Sequence, residues 1–524
     1  MGIYLNPGNE NFKEMSGNRY YVDKTGMISV LNRFIDEGNK YICVSRPRRF
    51  GKTIAGEMLS AYYSKGCDSS DIFAKFIISS DDSYSDKLNT YNVIKIDMNS
   101  EYQNTWDKKQ LIYGLTEKIK KEMRVEFPDV AIMDKYSLGE SIMEIYSSSG
   151  QTFVIIIDEY DVLVREKVEE KLFSEYLSFL NGLFKSATLR PAISLAYLTG
   201  ILPIIRDKVQ SKLNNFREYT ILNSGELAEY IGFTSEEVRK LCDKYDMDYR
   251  ECANWYDGYS QRDIEIYNPE SVIMCIQDGE FDNYWGKTST YMAISERIRQ
   301  NFNGTKDDVI KMISGESVDV NVTRYMNTMN SFTTRSDVFT YLIHLGYLAY
   351  DRKEKTCRIP NWEIRQEWCN AIEADENYDA TNSIIESSKE LLKETLSGNE
   401  EAVARALDVS HIHVTSNRSY NNEDALQSAI YLAYIYALNE YTVIREMTTG
   451  KGFADVVYIP LDKSKSAIII ELKRNNSAES GIAQIKEKRY FESLEHYKGN
   501  LMLVGINYDE NSKTHSCKIE HFSR

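Results

Sequence analysis

The sequence predicts an α/β protein in which a parallel sheet near the N-terminus is followed by helical segments and by a second, mixed α/β core. Three stretches support this prediction. Residues 40–65 have the pattern of a strand, a tight loop and a helix. Residues 153–161 form an apolar run that ends in acids, and residues 441–507 alternate between strand and helix patterns.

Composition indicates a large globular protein with several domains. The chain has 524 residues, too many for a single hydrophobic core. Of these, 42% are hydrophobic and 27% charged, a composition that excludes a disordered chain. The eight cysteines include no C-x-x-C pair, which argues against a zinc ribbon or a disulfide framework and is typical of reduced thiols. Because no signal peptide and no bilayer-length apolar run are visible, we expect a cytoplasmic protein without a membrane partner.

Charge is unevenly distributed along the chain. The net charge of −16 does not favour nucleic-acid binding by the chain as a whole, but basic residues slightly outnumber acidic ones from Tyr441 onward. Histidines are few, and the close pair His411 and His413 is a weak candidate for metal binding. Carboxylates are better candidates for holding a catalytic metal.

The stretch "SRPRRFGKT", residues 45–53, ends like a phosphate-binding loop but has Arg46 where the usual pattern opens with glycine. A β-favouring segment precedes it and a helical pattern follows it, so free amides at a helix N-terminus would face an anion. Lys52 would reach the terminal phosphates of a nucleotide, and Thr53 would offer its hydroxyl to Mg²⁺. The predicted nucleotide-binding residues of the loop are Arg48, Arg49, Phe50, Gly51, Lys52 and Thr53.

The arginines of this loop have two interpretations. The guanidinium groups of Arg48 and Arg49 would grip phosphate directly, or they would contact a neighbouring domain or nucleic acid. Pro47 fixes one backbone φ near −65°, whereas the missing first glycine removes a residue that tolerates positive φ.

A second motif, "FVIIIDEYD" at residues 153–161, is typical of a buried parallel strand whose carboxyl end faces a site. Asp158 would hold Mg²⁺ through water, and Glu159 would polarise the water that attacks the terminal phosphate. Many strands also end in acids at the surface, so the prediction depends on finding both motifs in this order.

Two more strands are predicted for the same sheet. Residues 91–98 end in Asp97, and residues 192–201 end near Thr199. Thr199 would either sense the terminal phosphate or serve as an ordinary strand-end cap.

Several motifs together resemble the AAA-ATPase-like family, in which the R-P-R-R-F-G-K-[ST] loop is the rule. They are "YYVDKT" (20–25), "SRPRRFGKT", "IIIDEYD", "LTGI", "LNN" (213–215), "WYDGY" (255–259) and "YNPES" (267–271). The resemblance covers most of the chain and implies ATP as cofactor, with a C-terminal PD-(D/E)XK nuclease-like domain as a common fusion partner. An arginine finger acting in trans would require a homo-oligomer, and Arg206 or Arg217 would supply it.

The middle of the chain is predicted to form helical modules. Residues 234–300 would be a helical lid in which Trp255 and Tyr256 are core anchors or, alternatively, stack on a base. Residues 335–368 suggest a helix, a hairpin and a helix, an order that resembles a winged helix; such modules either bind DNA or serve as packing units.

The C-terminal pattern predicts a PD-(D/E)XK core. Asp455 lies on one predicted strand, and Glu471 and Lys473 lie on the next with the spacing that this signature requires. Since residues i and i+2 of a strand face the same side, Glu471 and Lys473 would project together. Asp455 and Glu471 would share Mg²⁺, with Mn²⁺ as an alternative, and Lys473 would orient and help deprotonate the attacking water.

Further residues would assist this site. Glu423 or Asp424 would supply another acid, and Lys488 would meet the DNA backbone. The resemblance to PD-(D/E)XK nucleases, which often carry a glutamine at this place, implies that Gln484 supports the lysine. Ala454 stands where the proline of the signature is usual, a minor departure because that proline only shapes the backbone.

These motifs predict four domains: an ATPase-like domain at 1–233, a lid at 234–300, a helical and winged-helix-like domain at 301–420, and a nuclease-like domain at 421–524. The predicted function is an ATP-hydrolysing protein coupled to a metal-dependent nuclease for DNA or RNA, in nucleic-acid processing or defence. The alternatives are a nucleotide-gated binding or signalling protein with an idle nuclease fold, and an ATP-driven motor on nucleic acid.

Overall fold

The computed structural model describes most of the chain as two compact units. The described residues are 2–204, 213–261, 264–286, 305–313, 315–324, 332, 334–373, 379–414, 430, 433–434, 436–437, 440–449, 452–460, 465–490 and 499–522. The N-terminal unit comprises residues 1–288, 301–305 and 317–364, and the C-terminal unit comprises residues 289–300, 306–316 and 365–524. Each described helix is too short or too polar to cross a membrane.

A five-stranded parallel sheet forms the centre of the N-terminal unit. Its strands are β1 (Tyr41–Ser45), β2 (Asn92–Asp97), β3 (Phe153–Asp158), β4 (Ile193–Gly200) and β5 (Arg217–Tyr219). They lie in the order β2-β3-β4-β1-β5, and every neighbouring pair is parallel. All residues of β1 and β3 are buried, as expected for parallel strands covered on both faces. The predicted α/β fold class is confirmed here.

Helices connect and cover these strands. They are α1 (Glu10–Ser16), α2 (Gly26–Asp36), α3 (Lys52–Tyr63), α4 (Ser70–Phe73), α5 (Tyr84–Lys87), α6 (Met98–Asn104), α7 (Leu111–Glu126), α8 (Leu138–Ser149), α9 (Val162–Arg165) and α10 (Glu170–Phe184). Apolar residues of α7, α8 and α10 form one buried cluster with the central strands. Local sequence sets the ends of α8, because Ser137 and Glu140 form a capping box and Gly150 ends the helix with φ of 69°.

The segment predicted as a helical lid contains helices and a small sheet. Its elements are β6 (Phe233–Thr234), α11 (Ser235–Tyr245), α12 (Tyr249–Tyr256), β7 (Tyr259–Gln261), β8 (Ile264–Tyr267) and α13 (Pro269–Asp278). The strands form an antiparallel sheet in the order β6-β8-β7, which the sequence analysis missed. Trp255 and Tyr256 are 2% and 0% exposed, so their prediction as core anchors is confirmed.

The next segment contains the predicted helix, hairpin and helix. Its elements are α14 (Thr305–Ile313), β9 (Val318–Asp319), α15 (Arg335–Leu345), β10 (Ala349–Asp351), β11 (Thr356–Arg358) and α16 (Trp362–Glu373). Strands β10 and β11 form the hairpin, and the short strand β9 pairs with β11 to extend it.

A second five-stranded sheet forms the core of the C-terminal unit. Its strands are β12 (Tyr441–Thr449), β13 (Gly452–Pro460), β14 (Ala467–Arg474), β15 (Leu501–Asp509) and β16 (Thr514–Phe522), in sequential order. Strands β14 and β15 are parallel and the other neighbours are antiparallel, so the predicted mixed α/β core is confirmed. The sequence analysis missed β16. The stretch "NEDALQSAIYLAYIYALN" at 422–439, whose pattern predicts a helix before the first strand of this domain, lies largely outside the described residues.

Helices cover both faces of this second sheet. They are α17 (Asp379–Leu396), α18 (Glu400–Val414) and α19 (Ala478–Lys488). Residues of α17 and α18 share one apolar cluster with the sheet, and residues of α19 share another. Gly505 allows α19 to approach β15 closely, since a Cβ at this position would lie 2.1 Å from the carbonyl oxygen of Ala478. This close packing places the polar side of α19 beside β14.

Candidate active sites

The phosphate-binding loop connects β1 to α3 at the carboxyl edge of the parallel sheet. Its backbone adopts positive φ at Arg49, 69°, and at Gly51, 86°. A Cβ at Gly51 would meet no atom within 4 Å, so glycine is favoured there by backbone conformation and not by lack of space. The loop therefore places its left-handed residues near its end, and the absent first glycine leaves the turn intact.

Arg46 is buried and hydrogen-bonded to the backbone of the neighbouring strands. Its side chain is 0% exposed and donates to the carbonyl oxygens of Ser45 and Tyr219, each at 2.9 Å. Its backbone N–H donates to the carbonyl oxygen of Gly200 at 3.1 Å. Burial lowers the pKa of Arg46 to about 10. Arg46 thus fastens the start of the loop to β4 and β5, a structural role that the sequence analysis did not identify.

Lys52 and Thr53 form the first turn of α3, as predicted from the motif. Lys52 is 7% exposed, and its Nζ donates to the carbonyl oxygen of Pro47 at 2.7 Å. Burial lowers the pKa of Lys52 to about 8, although the nearby carboxylates of Asp158, Asp161 and Glu159 oppose this shift. Thr53 is exposed. An ammonium group held inside its own loop is well placed to exchange its carbonyl partner for a phosphate.

Asp158 and Thr199 are brought together at the ends of the adjacent strands β3 and β4. Asp158 is 4% exposed, and its Oδ1 accepts hydrogen bonds from the Thr199 hydroxyl and from the N–H of Glu159, the latter at 2.9 Å. Glu159 has φ of 49°, and its carboxylate lies 2.5 Å from Arg165. The three predicted residues therefore share one site, with Thr199 contacting the acid.

The second acid of the "DEYD" motif holds the chain that follows Thr199. Asp161 is 0% exposed, and its Oδ2 accepts the N–H groups of Ile201 at 3.1 Å and Leu202 at 2.8 Å. The Tyr160 hydroxyl donates to the carbonyl oxygen of Leu202 at 2.9 Å. Sequence reasoning assigned no role to either residue, although their place directly after Glu159 was visible.

Two of the remaining loop residues contact the segment predicted as a lid, in the same unit. The Phe50 ring is buried and lies edge-on to Tyr259 at 5.4 Å. Arg49 is half-buried, and its Nη1 donates to the carbonyl oxygen of Trp285 at 3.4 Å. Arg48 is exposed. Arg49 and Phe50 therefore contact neighbouring segments, and the proposed grip of Arg48 and Arg49 on phosphate stays a prediction.

An apolar cavity of about 200 Å³ lies beside the loop. The loop and α3 contribute Phe50, Gly51, Ile54, Ala55 and Met58. The N-terminal segment contributes Tyr20, Tyr21 and Val22, and the chain after β5 contributes Tyr230, Phe233 and Ile273. The motif "YYVDKT" was noticed in the sequence, but its position beside the phosphate loop could not be derived from it.

The C-terminal unit brings together four of the residues predicted for its site. The Asp455 carboxylate accepts the N–H of Leu472 at 2.7 Å. Lys473 Nζ donates to Glu471 Oε1 at 2.8 Å and to Gln484 Oε1 at 2.7 Å. The Gln484 amide also donates to Glu471 Oε1 and, at 3.0 Å, to the Tyr490 hydroxyl. Gln484 thus orients both the acid and the lysine, and Tyr490 is a contact that the sequence analysis missed.

Glu471 is the most strongly perturbed group of this site. It is 2% exposed, and burial together with the nearby Asp455 raises its pKa to about 7, opposed by Lys473. Its Oε2 is buried and accepts no hydrogen bond from any described residue. A buried carboxylate oxygen without a partner beside a second carboxylate fits a divalent cation, because such oxygens are the ligands that Mg²⁺ and Mn²⁺ prefer.

Some predicted residues cannot be placed. Glu423, Asp424 and Arg206 lie outside the described residues, as do the side chains of His411 and His413. Of the other predicted residues, Ala454 lies on β13, Lys488 ends α19, and the exposed Arg217 on β5 lies 3.7 Å from Glu226. The described part of the chain contains no cluster of three or more His, Cys, Asp or Glu suited to a metal ion.

Known proteins resemble this chain in part. An uncharacterized protein in the vnfD 5′ region of Azotobacter chroococcum mcd 1 is 24% identical over 276 residues, which are 52% of this chain and 51% of that protein. The chain thus spans about half the length of this curated relative.

Two solved structures from Aeropyrum pernix match the chain with low TM-scores. The match to the ORC2 protein in ADPNP–ADP complexes has a TM-score of 0.31 at 11% identity. It covers 68% of this chain and 97% of the ORC2 chain. The match to the ORC1 protein in complex with DNA has a TM-score of 0.23 at 10% identity. It covers 94% of this chain and 99% of the ORC1 chain. At these TM-scores neither likeness extends to function.

Two family models match separate parts of the chain. Residues 7–210 match the model described as a predicted AAA-ATPase, and residues 421–518 match that of the PD-(D/E)XK nuclease superfamily. The first match covers strands β1 to β4 and the phosphate loop, and the second covers most of the mixed sheet that carries Asp455 and Glu471. The chain therefore carries an AAA-ATPase-like domain in its N-terminal part and a PD-(D/E)XK nuclease superfamily domain in its C-terminal part.

Proposed function

We propose that the chain binds and hydrolyses ATP in its N-terminal unit and cleaves phosphodiester bonds of DNA or RNA, with a divalent metal, in its C-terminal unit. The observation that carries this proposal is the Glu471 carboxylate, with one oxygen held by Lys473 and Gln484 and the other buried without a partner. An unpaired buried acceptor is costly, and a divalent cation shared with the nearby Asp455 carboxylate would satisfy it.

At the nucleotide site, Lys52 would leave the carbonyl oxygen of Pro47 and bind the terminal phosphates of ATP. Thr53 and Asp158 would hold Mg²⁺, and bound Mg²⁺ would neutralise charge on those phosphates. Glu159 would orient and polarise the attacking water from the end of β3. Thr199, which donates to Asp158, would keep that carboxylate in place.

The apolar cavity beside the phosphate loop would receive the nucleobase. It adjoins Phe50 and Gly51, so a nucleotide with its phosphates at the N-terminus of α3 would extend its base toward the cavity. Tyr20, Tyr21 and Tyr230 line it, and aromatic side chains offer faces suited to a flat base. This placement gives the "YYVDKT" stretch a functional reason that its sequence alone does not supply.

At the nuclease site, Asp455 and Glu471 would hold the divalent metal, which when bound neutralises the scissile phosphate and lowers the pKa of its water. Lys473 would orient the attacking water and donate to the developing negative charge. Gln484 would keep Lys473 and Glu471 in register. The hydrogen bond from the Leu472 N–H would hold the Asp455 carboxylate toward the same place.

A second candidate function is a nucleotide-gated binding or signalling protein with an idle nuclease fold. The observation that favours it is that, across the part of the chain described, no three metal-binding side chains converge. Two carboxylates hold Mg²⁺ weakly unless water and substrate oxygens complete its coordination. Retained cleavage therefore has to be measured.

One assay panel distinguishes the two candidates. The purified full chain is incubated with single-stranded DNA, double-stranded DNA and RNA in Mg²⁺ or Mn²⁺, with and without ATP, beside the variant Asp455→Ala. Metal-dependent cleavage by the wild type that the variant lacks supports the nuclease. Identical products from both proteins on every substrate would favour the idle fold. Cleavage that changes with ATP would support nucleotide as a control input for nucleic-acid processing or defence.

A further inference from the structure

A polar cleft lies beside the hairpin of β10 and β11 in the N-terminal unit, apart from the phosphate loop. Its volume is about 430 Å³, within the range of roughly 300–1,000 Å³ that is usual for ligand pockets. The residues that line it include Asn223 and Ser224 in the turn after β5, Ser260 on β7, and Arg352, Lys353 and Arg358 of the hairpin. We call it the hairpin cleft.

The charge of the hairpin cleft is opposite to that of the chain. Three cationic side chains line it, from Arg352, Lys353 and Arg358, against one acid, Asp351, in a chain of net charge −16. The Asp351 carboxylate accepts the N–H groups of Lys353 at 2.8 Å and Glu354 at 3.0 Å, which fixes it to the hairpin turn. A local cluster of positive charge in an acidic protein indicates a site for an anion.

Arg358 is oriented by neutral hydrogen-bond partners, and its charge also interacts with the nearby Asp351 carboxylate. Its Nη1 donates to the carbonyl oxygen of Pro360 at 3.1 Å, and its Nη2 lies 3.5 Å from the carbonyl oxygen of Gly258. The two carbonyl oxygens are neutral, so they orient the guanidinium without compensating its charge, and the cleft lining still has three cations against one acid. An oriented guanidinium loses less conformational freedom on binding a phosphate than a free one.

Neutral donors complete the lining. Ser224 is 2% exposed, and Asn223 and Ser260 are exposed beside it. Hydroxyl and amide groups together with arginine and lysine are the side chains that contact phosphate oxygens in nucleic-acid complexes. Since the cations occur both in the hairpin turn and on β11, while the neutral donors come from other elements, the lining suits a chain of phosphates.

We propose that the hairpin cleft binds the phosphodiester backbone of a nucleic-acid strand. This inference rests on the proposed function because it takes nucleic acid as the substrate. It concerns binding only, and its residues are distinct from those of either catalytic site. Contacts of this kind position a strand without reading its sequence, so the cleft would bind many sequences with similar affinity and with strong salt dependence.

The test measures binding of a fluorescently labelled oligonucleotide by anisotropy, using the full chain with Asp455→Ala so that the strand stays intact. In this background the double variant Arg352→Ala/Lys353→Ala is compared with Lys240→Ala/Lys244→Ala, which removes the same charge from exposed positions on α11. We expect the cleft variant to bind about tenfold or more weakly at 0.1 M salt, with a salt slope smaller by about 1–2. The control variant should bind like its parent.

Other results would contradict the cleft proposal or the nuclease proposal separately. Equal affinity of the cleft and control variants, or no binding by the parent, would overturn the proposal. Displacement of the strand by millimolar inorganic phosphate as readily as by unlabelled oligonucleotide would also overturn it, because the cleft would then be a small-anion site. If binding depends on the cleft but the wild type cleaves nothing, the nuclease proposal fails and the cleft stands. If the wild type cleaves and the cleft variant binds normally, only the cleft fails.

Discussion

Lys473 Nζ lies 2.8 Å from Glu471 Oε1, while the other oxygen of the same carboxylate is buried without a hydrogen-bond partner among the described residues. The two side chains project from the same face of β14 because they are two residues apart in a strand. The two oxygens of the Glu471 carboxylate therefore have different roles. One oxygen is neutralised by the ammonium group, and the other remains for a cation that the neighbouring Asp455 would share.

Replacement of Asp455 or Glu471 by alanine should abolish phosphodiester cleavage, because one carboxylate holds a divalent cation poorly in water. Lys473→Ala should instead lower the cleavage rate by about 100-fold or more while metal binding survives, since its role is to orient water and stabilise charge. Cleavage is followed on labelled DNA and RNA, and Mn²⁺ binding by calorimetry.

The control for these variants is Glu479→Ala, which removes an exposed acid from the first turn of α19. It should cleave and bind Mn²⁺ as the wild type does. If Lys473→Ala lost Mn²⁺ binding as completely as Glu471→Ala, the lysine would be a structural partner of the carboxylate and its proposed role would be wrong.

Lys52→Ala should weaken ATP binding by about tenfold or more, since a hydrogen bond to a charged group contributes roughly 1.5–3 kcal/mol. Glu159→Gln should bind ATP nearly as well as the wild type and fail to hydrolyse it, because Asp158 and Thr53 remain while the water loses its base. Calorimetry measures binding, and phosphate release measures hydrolysis. Hydrolysis by Glu159→Gln at the wild-type rate would exclude Glu159 as that base.

ATP binding should take up a proton near pH 8 to 9. Burial lowers the pKa of Lys52 to about 8, so a growing fraction of the lysine is neutral above that pH in the nucleotide-free protein. Bound phosphates favour the charged form and raise the pKa again. Calorimetry in buffers of different ionisation enthalpy should therefore show proton uptake at pH 8.5 and little at pH 6.5. Lys52→Ala, where its binding is measurable, should show no uptake at either pH.

Sequence patterns predicted the elements that are long or strongly apolar. Strands β1 to β4 are mostly buried runs of five to eight residues, and each was recognised. Strand β5 has three residues, and β6 has only two, so neither has a periodicity to detect. Strand β16 alternates irregularly between exposed and buried residues at the sheet edge, and polar residues hide its pattern.

The candidate sites were predicted where one short motif carries the chemistry. Lys52, Asp158, Glu471 and Lys473 each lie where their motif places them. Arg46 and Asp161 were not assigned because their roles depend on distant partners, the carbonyl oxygen of Tyr219 and the N–H groups of Ile201 and Leu202. Long-range contacts of this kind have no signal in a single sequence.

Gly346 should influence ATP affinity from outside the nucleotide site. It has φ of 90°, and a Cβ there would lie 2.8 Å from Cβ of Pro47 in the phosphate loop and 2.9 Å from the Trp285 ring. The Gly346 carbonyl oxygen also accepts the Tyr259 hydroxyl at 2.6 Å. Tyr259 also packs on Phe50 of the phosphate loop, so it contacts both the loop and Gly346, the residue that follows α15.

Gly346→Ala should therefore displace Pro47 and weaken ATP binding several-fold. Its matched control is Gly279→Ala, which has φ of 72° but no atom within 4 Å of the added Cβ. Both substitutions carry the left-handed backbone cost of about 1–2 kcal/mol, so both should lower the melting temperature. Only Gly346→Ala should change ATP affinity, measured by calorimetry well below melting. Tyr259→Phe, which removes the hydroxyl alone, should shift affinity in the same direction by less. Equal affinities for the two glycine variants would mean that the loop tolerates this contact, and the hairpin segment would then have no influence on the nucleotide site.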